Sequence, residues 1–561
     1  MIYKIKHFNH LLDEEYRGYI CNNVQVIADE EWYCIKNEHT SVKVYLQTSE
    51  NIIYNIVGTK ADNVYIKNAF IEYLKFLEKT DVFVSVCFFD FDSILFQFLV
   101  NYLEIHRVSI NGDKMIISFY ISKQNNEIPI DECEDLIERS KTLIKILRKA
   151  YYSKSSRLTG LRERPLFGNI KEGMPTDSLG PFPEFILPTL PCQKTLNGFC
   201  APCFFSKVEM AEGSIQDIKN SMVIQTKYII EHFDEIVLNY QTRQKGVLKD
   251  TFDITFCYAC NGSIFSNYET TREARYKSFK LLDEEIRNRG LKALVYLETC
   301  VDDYLSFLES DEIRDLLPIF QNLNVVILCG FESVDAYIRD VLYVKDMKFS
   351  DFQKVIRRNR EFGIETGAFL YRGFHSLTQN EIIQDTVRSL AFLCANGVMP
   401  VIMLPNLQEY TLTHLLYSYE QYNIIDPLTA LEIVKITMWF TKSVLDSKKD
   451  RWLMGDLFGG PPKPRNSVFT NKRKIVCDEC AETIRKSLQQ VRLNNDINEI
   501  ENALIKVKNC KCGCYKKYLA KLEEEEMLRN KIPLRIRGKK SIEFAFSHVY
   551  DYLNNNMYPI G

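Results

Sequence analysis

Three closely spaced cysteines lie in the stretch LPCQKTLNGFCAPCFF, residues 190–205. Cys192, Cys200 and Cys203 follow the pattern C-x7-C-x2-C, and no histidine is nearby. Three thiolates without a fourth ligand suit a [4Fe–4S] cluster that keeps one iron open, because a structural zinc site is closed by four ligands. Three buried core thiols are the alternative, since cysteine is among the most buried residue types.

A second group of cysteines lies near the end of the chain. Cys477 and Cys480 form C-x2-C, and Cys510, Cys512 and Cys514 form C-x-C-x-C farther on. We expect the first four to share one metal, with Cys514 spare. Zinc and an auxiliary iron–sulfur cluster both suit thiolates, and zinc is favoured. A metal would supply folding energy to a module too short to bury a large core.

Basic side chains surround this second group. Such a patch is able to follow the phosphates of RNA, and a solvated face is the alternative. The basic residues are Lys472, Arg473, Lys474, Arg485, Lys486, Arg492, Lys506, Lys508, Lys511, Lys516 and Lys517.

Between the two cysteine groups, short apolar runs alternate with longer amphipathic ones. FDITFCYA, KALVYLETC, VVILCGFE, IETGAFLYRG and VMPVIML read as strands, and the segments between them read as helices. Strands that are apolar throughout are buried on both faces, so the pattern predicts an α/β fold, either a barrel or an open doubly wound sheet. In both, ligands bind at the carboxyl ends of the strands, and we expect the three-cysteine loop to lie there too.

The chain is long enough for several domains. Residues 1–150 mix apolar runs with the amphipathic stretch DLIERSKTLIKILRKAYY and predict an α+β domain of unknown role that ends in a helix. Residues 151–188 are rich in Ser, Gly and Pro and predict an exposed linker. The α/β domain then covers 189–445, a Cys-rich metal-binding module covers 446–530, and a C-terminal tail covers 531–561.

Composition excludes disordered and fibrous classes, since the chain is 46% hydrophobic and 12% aromatic. No apolar run is long enough to span a membrane, and the first residues lack the features of a signal peptide. We therefore expect a cytoplasmic protein with no membrane partner. Its 17 cysteines are then thiols or metal ligands instead of disulfides. The formal net charge of −3 decides nothing about nucleic acid.

The cysteine loop, with Phe204 directly after it, resembles the radical S-adenosylmethionine (SAM) superfamily. The spacing departs from the commonest C-x3-C-x2-C form. Longer first gaps occur in the branch of the Elongator catalytic subunit and the radical SAM subunit of archaeosine synthase, which the chain resembles most. CNGSIFSN (260–267), YLETC (296–300), the GFES segment from residue 330, PNLQEYTL and the cysteines CDEC and CKC are similar to motifs of that branch. The resemblance spans roughly 185–515 and implies a partial (β/α) barrel of the radical SAM type.

The resemblance implies a cofactor arrangement for the loop. Cys192, Cys200 and Cys203 would hold three irons of a [4Fe–4S] cluster, and the fourth iron would take the amino and carboxylate groups of SAM. An electron from a donor of the flavodoxin or ferredoxin type would cleave SAM to a 5′-deoxyadenosyl radical, which abstracts hydrogen from substrate. No catalytic residue is assigned beyond these ligands.

The resemblance also implies contacts with SAM. Gly262 and Ser263 would lie near its methionine moiety, because glycine lets backbone approach a ligand closely. Glu298 and Glu332 would bind its ammonium group or ribose hydroxyls. The alternatives are an ordinary turn at Gly262 and ion-paired carboxylates at Glu298 and Glu332. For the further contacts that follow, the alternatives are an apolar side chain in the core and an arginine whose hydrogen bonds are all made within its loop. Phe204 and the stretch Met403 to Pro405 would flank the adenine. Arg372 would contact the SAM carboxylate or a substrate anion, and His375 is a candidate for proton transfer.

Two classes of function follow. The first is a radical SAM enzyme acting on a modified tRNA base by archaeosine-type chemistry, with tRNA and a partner enzyme as partners. Within this class, the alternative is a maturase or natural-product enzyme acting on a peptide or small molecule. The second class is a non-catalytic iron–sulfur or zinc RNA-binding protein, against which the intact cysteine loop argues. A basic tail that faces the loop would favour tRNA over a small substrate.

Overall fold

The structure is a computed structural model in which the chain forms two compact units. Unit 1 comprises Met1–Ile128, Ile383–Ala395 and Lys435–Asp446, and unit 2 comprises Pro129–Ile382, Asn396–Val434 and Ser447–Gly561. The residues that the structure describes are 25–29, 32–36, 41–48, 52–58, 82–88, 104–111, 114–121, 133–154, 159–160, 166–167, 182–203, 210–211, 213–235, 252–422, 424–445 and 467–557.

Unit 1 contains a seven-stranded sheet. Its strands are β1 (Gln25–Asp29), β2 (Trp32–Lys36), β3 (Ser41–Thr48), β4 (Ile52–Gly58), β5 (Val82–Phe88), β6 (Glu104–Asn111) and β7 (Lys114–Ile121). The spatial order is β1-β2-β3-β4-β5-β7-β6, and neighbours run antiparallel except β4 and β5. In β7, Met115, Ile117 and Phe119 are buried and the residues between them are partly exposed, so the alternation gives this strand one apolar face.

Unit 2 contains a second seven-stranded sheet and a small two-stranded one. The strands are β8 (Thr159–Gly160), β9 (Leu166–Phe167), β10 (Glu184–Leu187), β11 (Met210–Ala211), β12 (Ile254–Cys260), β13 (Ala293–Thr299), β14 (Val325–Gly330), β15 (Glu365–Tyr371) and β16 (Met399–Met403). The large sheet has the order β16-β15-β14-β13-β12-β10-β9, and β8 pairs with β11. All pairings from β10 to β16 are parallel, and only β9 joins antiparallel at the edge.

Helices follow most of these strands. They are α1 (Glu134–Lys154), α2 (Gln193–Leu196), α3 (Ile215–Glu231), α4 (Arg272–Asn288), α5 (Val301–Leu308), α6 (Glu312–Asn322), a π-helix (Tyr337–Leu342), α7 (Phe349–Phe362), α8 (Gln379–Ala395), α9 (Leu412–Ser418), α10 (Pro427–Leu445), α11 (Asp478–Asn494), α12 (Ile497–Lys508), α13 (Cys514–Lys531) and α14 (Leu534–Met557). None of the helices in the described part of the chain has the length and apolar character needed to cross a bilayer.

The predicted alternation of strands and helices from residue 252 to residue 403 is confirmed, and with it the α/β class built on a parallel sheet. Every residue of β12 is buried, as expected for a strand covered on both faces. Local signals set the helix ends. The Thr271 side chain accepts the N–H of Ala274 to cap α4, and Gly363 ends α7 with a left-handed φ of 68°.

The region predicted as an exposed linker, residues 151–188, ends in a strand of the large sheet. β10 pairs parallel with β12, and its Phe185 and Leu187 are fully buried. The apolar run FIL is too short to show a period, and the Pro and Gly residues around it dominate the composition. The α/β sheet therefore begins before the cysteine loop.

Two helices join unit 2 from outside the expected α/β domain. α1, expected to end the N-terminal domain, is part of unit 2, where it packs against α14. Residues 534–557, expected as a tail, form α14, whose buried Ile542, Ala545, Val549 and Tyr552 recur at helical spacing. The Tyr552 hydroxyl lies 2.8 Å from Nδ1 of His414 and accepts the backbone N–H of Tyr410. These contacts attach α14 to the loop and helix that follow β16.

Candidate functional site

The parallel strands of unit 2 collect the expected site residues at one edge of the sheet, which we call the carboxyl edge. Because all these strands point the same way, the segments that follow them meet at this edge. The cysteine loop, residues 192–203, follows β10. Around it lie Gly262 and Ser263 after β12, Glu298 near the end of β13, Glu332 after β14, Arg372 after β15 and Met403 at the end of β16.

The backbone of the cysteine loop is bound to the segment after the π-helix. The N–H of Cys200 donates to the carbonyl of Val344 over 2.9 Å, and the N–H of Ala201 donates to Tyr343 over 2.8 Å. Lys194 of the loop also forms ion pairs of 2.5 Å with Asp302 and with Asp346. The loop is therefore fixed to segments that follow β13 and β14.

Three residues around this junction have a left-handed backbone without being glycine. Their φ angles are 62° at Cys200, 68° at Glu332 and 58° at Val344. Such a φ is rare for a side chain branched at Cβ, as in valine, and each non-glycine residue in this region costs roughly 1–3 kcal/mol. Strain of this kind concentrates at functional sites, because the surrounding structure must hold it in place.

The thiols of the loop lie at different depths. Cys192 and Cys200 are buried and Cys203 is partly exposed. Burial raises the pKa of Cys192 and of Cys200 to about 12. Among the described residues, these thiols do not form a group whose ligand atoms all lie within 4.8 Å, the spacing suited to a single ion. An iron–sulfur cluster binds each cysteine to a different iron and so needs more widely spaced thiols.

Gly262 fits closely against the loop. A Cβ atom built on it would lie 2.7 Å from Sγ of Cys192 and 2.4 Å from Oε1 of Glu269. Glu269 accepts the N–H of Gly262 over 2.9 Å and the N–H of Ser263 over 3.1 Å, and burial raises the pKa of its carboxyl to about 8. The hydroxyl of Ser263 pairs with that of Thr299 over 2.8 Å. Glycine fits here because the Glu269 carboxylate and the Cys192 thiol occupy the space that a Cβ would take.

Glu269 was missed by the sequence analysis. It lies seven positions after Gly262, beyond the quoted CNGSIFSN motif, and a single carboxylate in a turn carries no signal. Its three hydrogen bonds, the third from the Thr189 hydroxyl, join the segment before the cysteine loop to the turn after β12.

Glu332 forms a buried ion pair. Its Oε1 lies 2.8 Å from Nζ of Lys345, and both side chains are largely buried. Burial alone would lower the pKa of Lys345, but the charges of Glu332, Cys200 and Cys300 raise it overall. A Cβ on Gly330 would lie 2.4 Å from Nζ of Lys345, so this glycine makes room for the pair. Lys345 lies in the GFES segment that resembles a family motif, but the resemblance gave it no role.

Glu298 is grouped with different partners. Its carboxylate, that of Glu184 and the Cys257 thiol have ligand atoms within 4.8 Å of one another, and Cys257 donates to Oε1 of Glu298 over 3.6 Å. Burial, with a further contribution from Glu184, raises the pKa of Glu298 to about 8. Cys257 belongs to the apolar cluster of the sheet, as expected of a core thiol. Glu184, Cys257 and Glu298 are close enough to share a proton or to bind a cation.

The other expected contacts are placed as follows. Arg372 is fully buried, and its guanidinium donates to the backbone carbonyl of Glu332, while its N–H donates to Met403 over 2.9 Å. The Met403 side chain packs against the apolar cluster. His375 is buried 2.9 Å from the Ser376 hydroxyl, and burial lowers its pKa to about 4, so its ring is neutral. Phe204 lies outside the described residues.

The second cysteine group is assembled in unit 2. Cys477, Cys480, Cys510 and Cys512 have all their sulfur atoms within 4.8 Å of one another, so these four could hold one metal ion. The fifth, Cys514, lies 3.0 Å from Cys512 in sulfur–sulfur distance and accepts the N–H of Cys477 over 3.1 Å. Between the pairs, α11 and α12 form a helical hairpin whose turn has Asn495 at a φ of 51°.

The basic residues near this hairpin have two kinds of environment. Lys474 pairs with Asp478 over 2.6 Å, Arg485 with Glu482 over 2.6 Å, and Arg473 with Glu420 over 3.3 Å. Arg492 is buried. The remaining basic residues of this group are exposed lysines, namely Lys472, Lys486, Lys506, Lys508, Lys511, Lys516 and Lys517.

Comparison with known proteins gave similarities only to solved structures. No protein-family model matches the chain, and no curated protein matches it in sequence. The radical S-adenosylmethionine methyltransferase TsrM from Kitasatospora setae, with cobalamin and a [4Fe–4S] cluster bound, is 11% identical at a TM-score of 0.26. That match covers 43% of this chain and 40% of TsrM.

Two further structures were found. TsrM with tryptophan and the SAM analogue aza-SAM is also 11% identical at a TM-score of 0.26, over 45% of this chain and 42% of that one. Methylornithine synthase (PylB) is 11% identical at a TM-score of 0.31, over 65% of this chain and 94% of PylB. The chain thus spans about two fifths of the length of TsrM.

Proposed function

We propose that the protein is a radical SAM enzyme whose [4Fe–4S] cluster is bound by Cys192, Cys200 and Cys203. The observation that carries the proposal is the fit of the cysteine loop at the carboxyl edge, where the Cys192 thiol occupies the space beside Gly262. Three cysteines in one loop, with a strained backbone at Cys200, lie at the edge where parallel sheets bind their ligands and are suited to a cofactor more than to a core.

The donor set fits such a cluster. It offers three thiols that are not gathered around a single ion, and the ammonium of Lys345 carries positive charge close to Cys200. When bound, a [4Fe–4S] cluster with SAM on its open iron supplies a 5′-deoxyadenosyl radical that abstracts hydrogen from substrate. We assign Cys192, Cys200 and Cys203 as the residues that hold the cluster.

The roles of the chain's own residues follow from their surroundings. Glu269 holds the turn at Gly262 in place, and Lys345 holds the Glu332 carboxylate at the carboxyl edge. Glu298 carries a proton at neutral pH, because burial raises its pKa to about 8, and an ammonium group nearby would favour release of that proton. Arg372 positions the backbone of Glu332 through its carbonyl, which supports a positioning role in place of contact with an anion.

Zinc in the second cysteine group is part of the proposal. Four sulfur atoms within 4.8 Å match one tetrahedral ion better than a multi-iron cluster. A modified tRNA base remains our proposed substrate through the resemblance to the archaeosine branch, with support from the surface lysines around this group. A cytoplasmic location and an electron donor of the flavodoxin or ferredoxin type belong to the same proposal.

The test of cluster binding is anaerobic reconstitution of the full chain with iron and sulfide. We expect about four irons per chain at the loop, with the absorption and electron paramagnetic resonance (EPR) spectra of a [4Fe–4S] cluster. Cys200→Ala should lose this iron, whereas Cys133→Ala, which removes a buried thiol before α1, should keep it. Equal iron in wild type and Cys200→Ala would reject the loop as the cluster site.

A further inference from the structure

A fourth cysteine lies at the carboxyl edge beside the cysteine loop. Cys300 directly follows β13 and precedes α5, and its side chain is partly exposed. Its Sγ lies 3.9 Å from the carbonyl oxygen of Gly262, and its N–H donates to the Ser263 hydroxyl over 3.3 Å. Cys300 is thus held against the turn that follows β12.

That turn also contacts a ligand of the proposed cluster. Since the Cβ position of Gly262 is 2.7 Å from Sγ of Cys192, the thiols of Cys192 and Cys300 both adjoin this one glycine. The charged groups agree with this geometry, because both the Cys192 thiolate and the Lys345 ammonium act on the Cys300 sulfur. Lys345 also acts on Cys200.

A separate observation points to a ligand beside the cysteine loop. The Tyr371 hydroxyl has no hydrogen-bond partner among the described residues, and the residue is only 9% exposed. Burial, followed by the charges of Tyr422, Glu332 and Cys203, raises its pKa, so the hydroxyl lies near the third loop cysteine. A buried hydroxyl without a partner has lost its hydrogen bonds to water, and a bound ligand would replace them.

We infer that Cys300 is a fourth thiolate ligand, which binds the otherwise open iron of the cluster while SAM is absent and leaves it when SAM binds. The inference rests on the proposed function. In the exchange, the bond between iron and the Cys300 sulfur breaks, and bonds from the SAM amino nitrogen and carboxylate oxygen form. The ammonium group of SAM loses one proton, and the Cys300 sulfur takes one up, so charge balances and no electron is transferred.

The exchange has two measurable consequences. An iron with a protein ligand is lost less easily than an open one, so Cys300 protects the cluster before SAM arrives. A thiolate that must be displaced also lowers the apparent affinity for SAM in proportion to the fraction of clusters that are open. If about a tenth are open, removing the thiol tightens SAM binding about tenfold, which corresponds to about 1.4 kcal/mol.

The experiment compares reconstituted full-length wild type with Cys300→Ala, and with Cys394→Ala as a matched control. Cys394 is a buried thiol whose raised pKa has no cause other than burial. Mild oxidation without SAM should convert Cys300→Ala to the three-iron cluster, detected by its EPR signal, to a several-fold greater extent than wild type or Cys394→Ala. Equilibrium dialysis under anaerobic conditions should show about tenfold tighter SAM binding by Cys300→Ala.

Cys300→Ser serves if the alanine variant folds poorly, because it keeps the size of the side chain and replaces the sulfur. It should behave as Cys300→Ala does. Equal three-iron signal and equal SAM affinity in wild type and both variants, with all of them still cleaving SAM, would overturn the fourth ligand and leave the proposed function intact. Failure of wild type to bind any cluster would overturn both.

Discussion

The Lys345 ammonium lies 2.8 Å from the Glu332 carboxylate, and the two charges are held at the end of β14 where Gly330 leaves space for them. The pair adjoins Cys200, whose backbone is bonded to the residue before Lys345. One ion pair therefore joins a predicted SAM contact to the proposed cluster site.

Removing one member of this pair should destabilise the fold. Lys345→Met leaves the buried Glu332 carboxylate without its counter-charge, a change that typically costs about 3–5 kcal/mol of unfolding free energy. The double variant Lys345→Met/Glu332→Gln should lose less, because no charge is then left buried. Urea unfolding under reducing conditions measures both, and a double variant less stable than Lys345→Met would contradict this electrostatic account.

Gly262→Ala should impair cluster binding. Its Cβ would lie 2.4 Å from Oε1 of Glu269 and 2.7 Å from Sγ of Cys192, so the carboxylate, the thiol or the turn must move, and we expect the iron content after reconstitution to fall severalfold. Gly363→Ala is the control, since its position has a positive φ but no neighbouring atom within 4 Å. It should cost about 1–2 kcal/mol of stability and leave the iron content unchanged. Equal iron content in both variants would show that the contact with Cys192 is unimportant.

The sequence predicted the alternating strands and helices of the sheet but not the individual side-chain contacts of the site. β12 to β16 are largely apolar and separated by amphipathic helices, so period and length suffice to identify them. β10 is short and flanked by proline, and it becomes a strand only because β12 lies beside it. Glu269 bonds Thr189, which is 80 positions away, and Lys345 pairs with Glu332 across the irregular segment after β14, so no helix or strand period encodes these partners.

The cysteines illustrate the same difference. The spacing within each group identified two candidate sites, because ligands close in sequence must be close in space. Cys300 has no such neighbour, and only the parallel pairing of β12 and β13 brings it beside the turn at Gly262.

Glu298→Gln should change how stability depends on pH. The carboxyl pKa is raised from 4.5 to about 8 on folding, so the folded chain holds a proton that the unfolded chain releases. The resulting stabilisation is fully present below about pH 4.5 and is lost as the pH rises to about 8. Glutamine cannot titrate, so the variant should lose this part of the decline in unfolding free energy.

Glu184→Gln provides the matched control for Glu298, because it removes the neighbouring charge and leaves Glu298 able to titrate. The decline in stability should then end at a lower pH than in wild type. Identical pH profiles for wild type and both variants, measured by denaturant unfolding, would show that the Glu298 proton is not taken up on folding.

The second cysteine group should bind metal independently of the loop. Cys480→Ser removes one of four mutually close sulfurs and should release the metal and expose 477–514 to limited proteolysis. Cys514→Ser removes the fifth cysteine and should keep the metal. Elemental analysis of the two purified variants measures their metal content. If Cys514→Ser loses the metal and Cys480→Ser keeps it, the fourth ligand is Cys514 and not Cys480. Cys480→Ser should still cleave SAM if the sites are separate.

Reductive cleavage of SAM tests the central claim most directly. Anaerobically reconstituted wild type, given a strong chemical reductant, should convert SAM to 5′-deoxyadenosine and methionine, which mass spectrometry quantifies. Cys203→Ala, with its fold verified by circular dichroism, should form none, because the cluster lacks a ligand. Wild type that carries the full cluster but forms no 5′-deoxyadenosine, or Cys203→Ala that forms as much as wild type, would contradict the assignment.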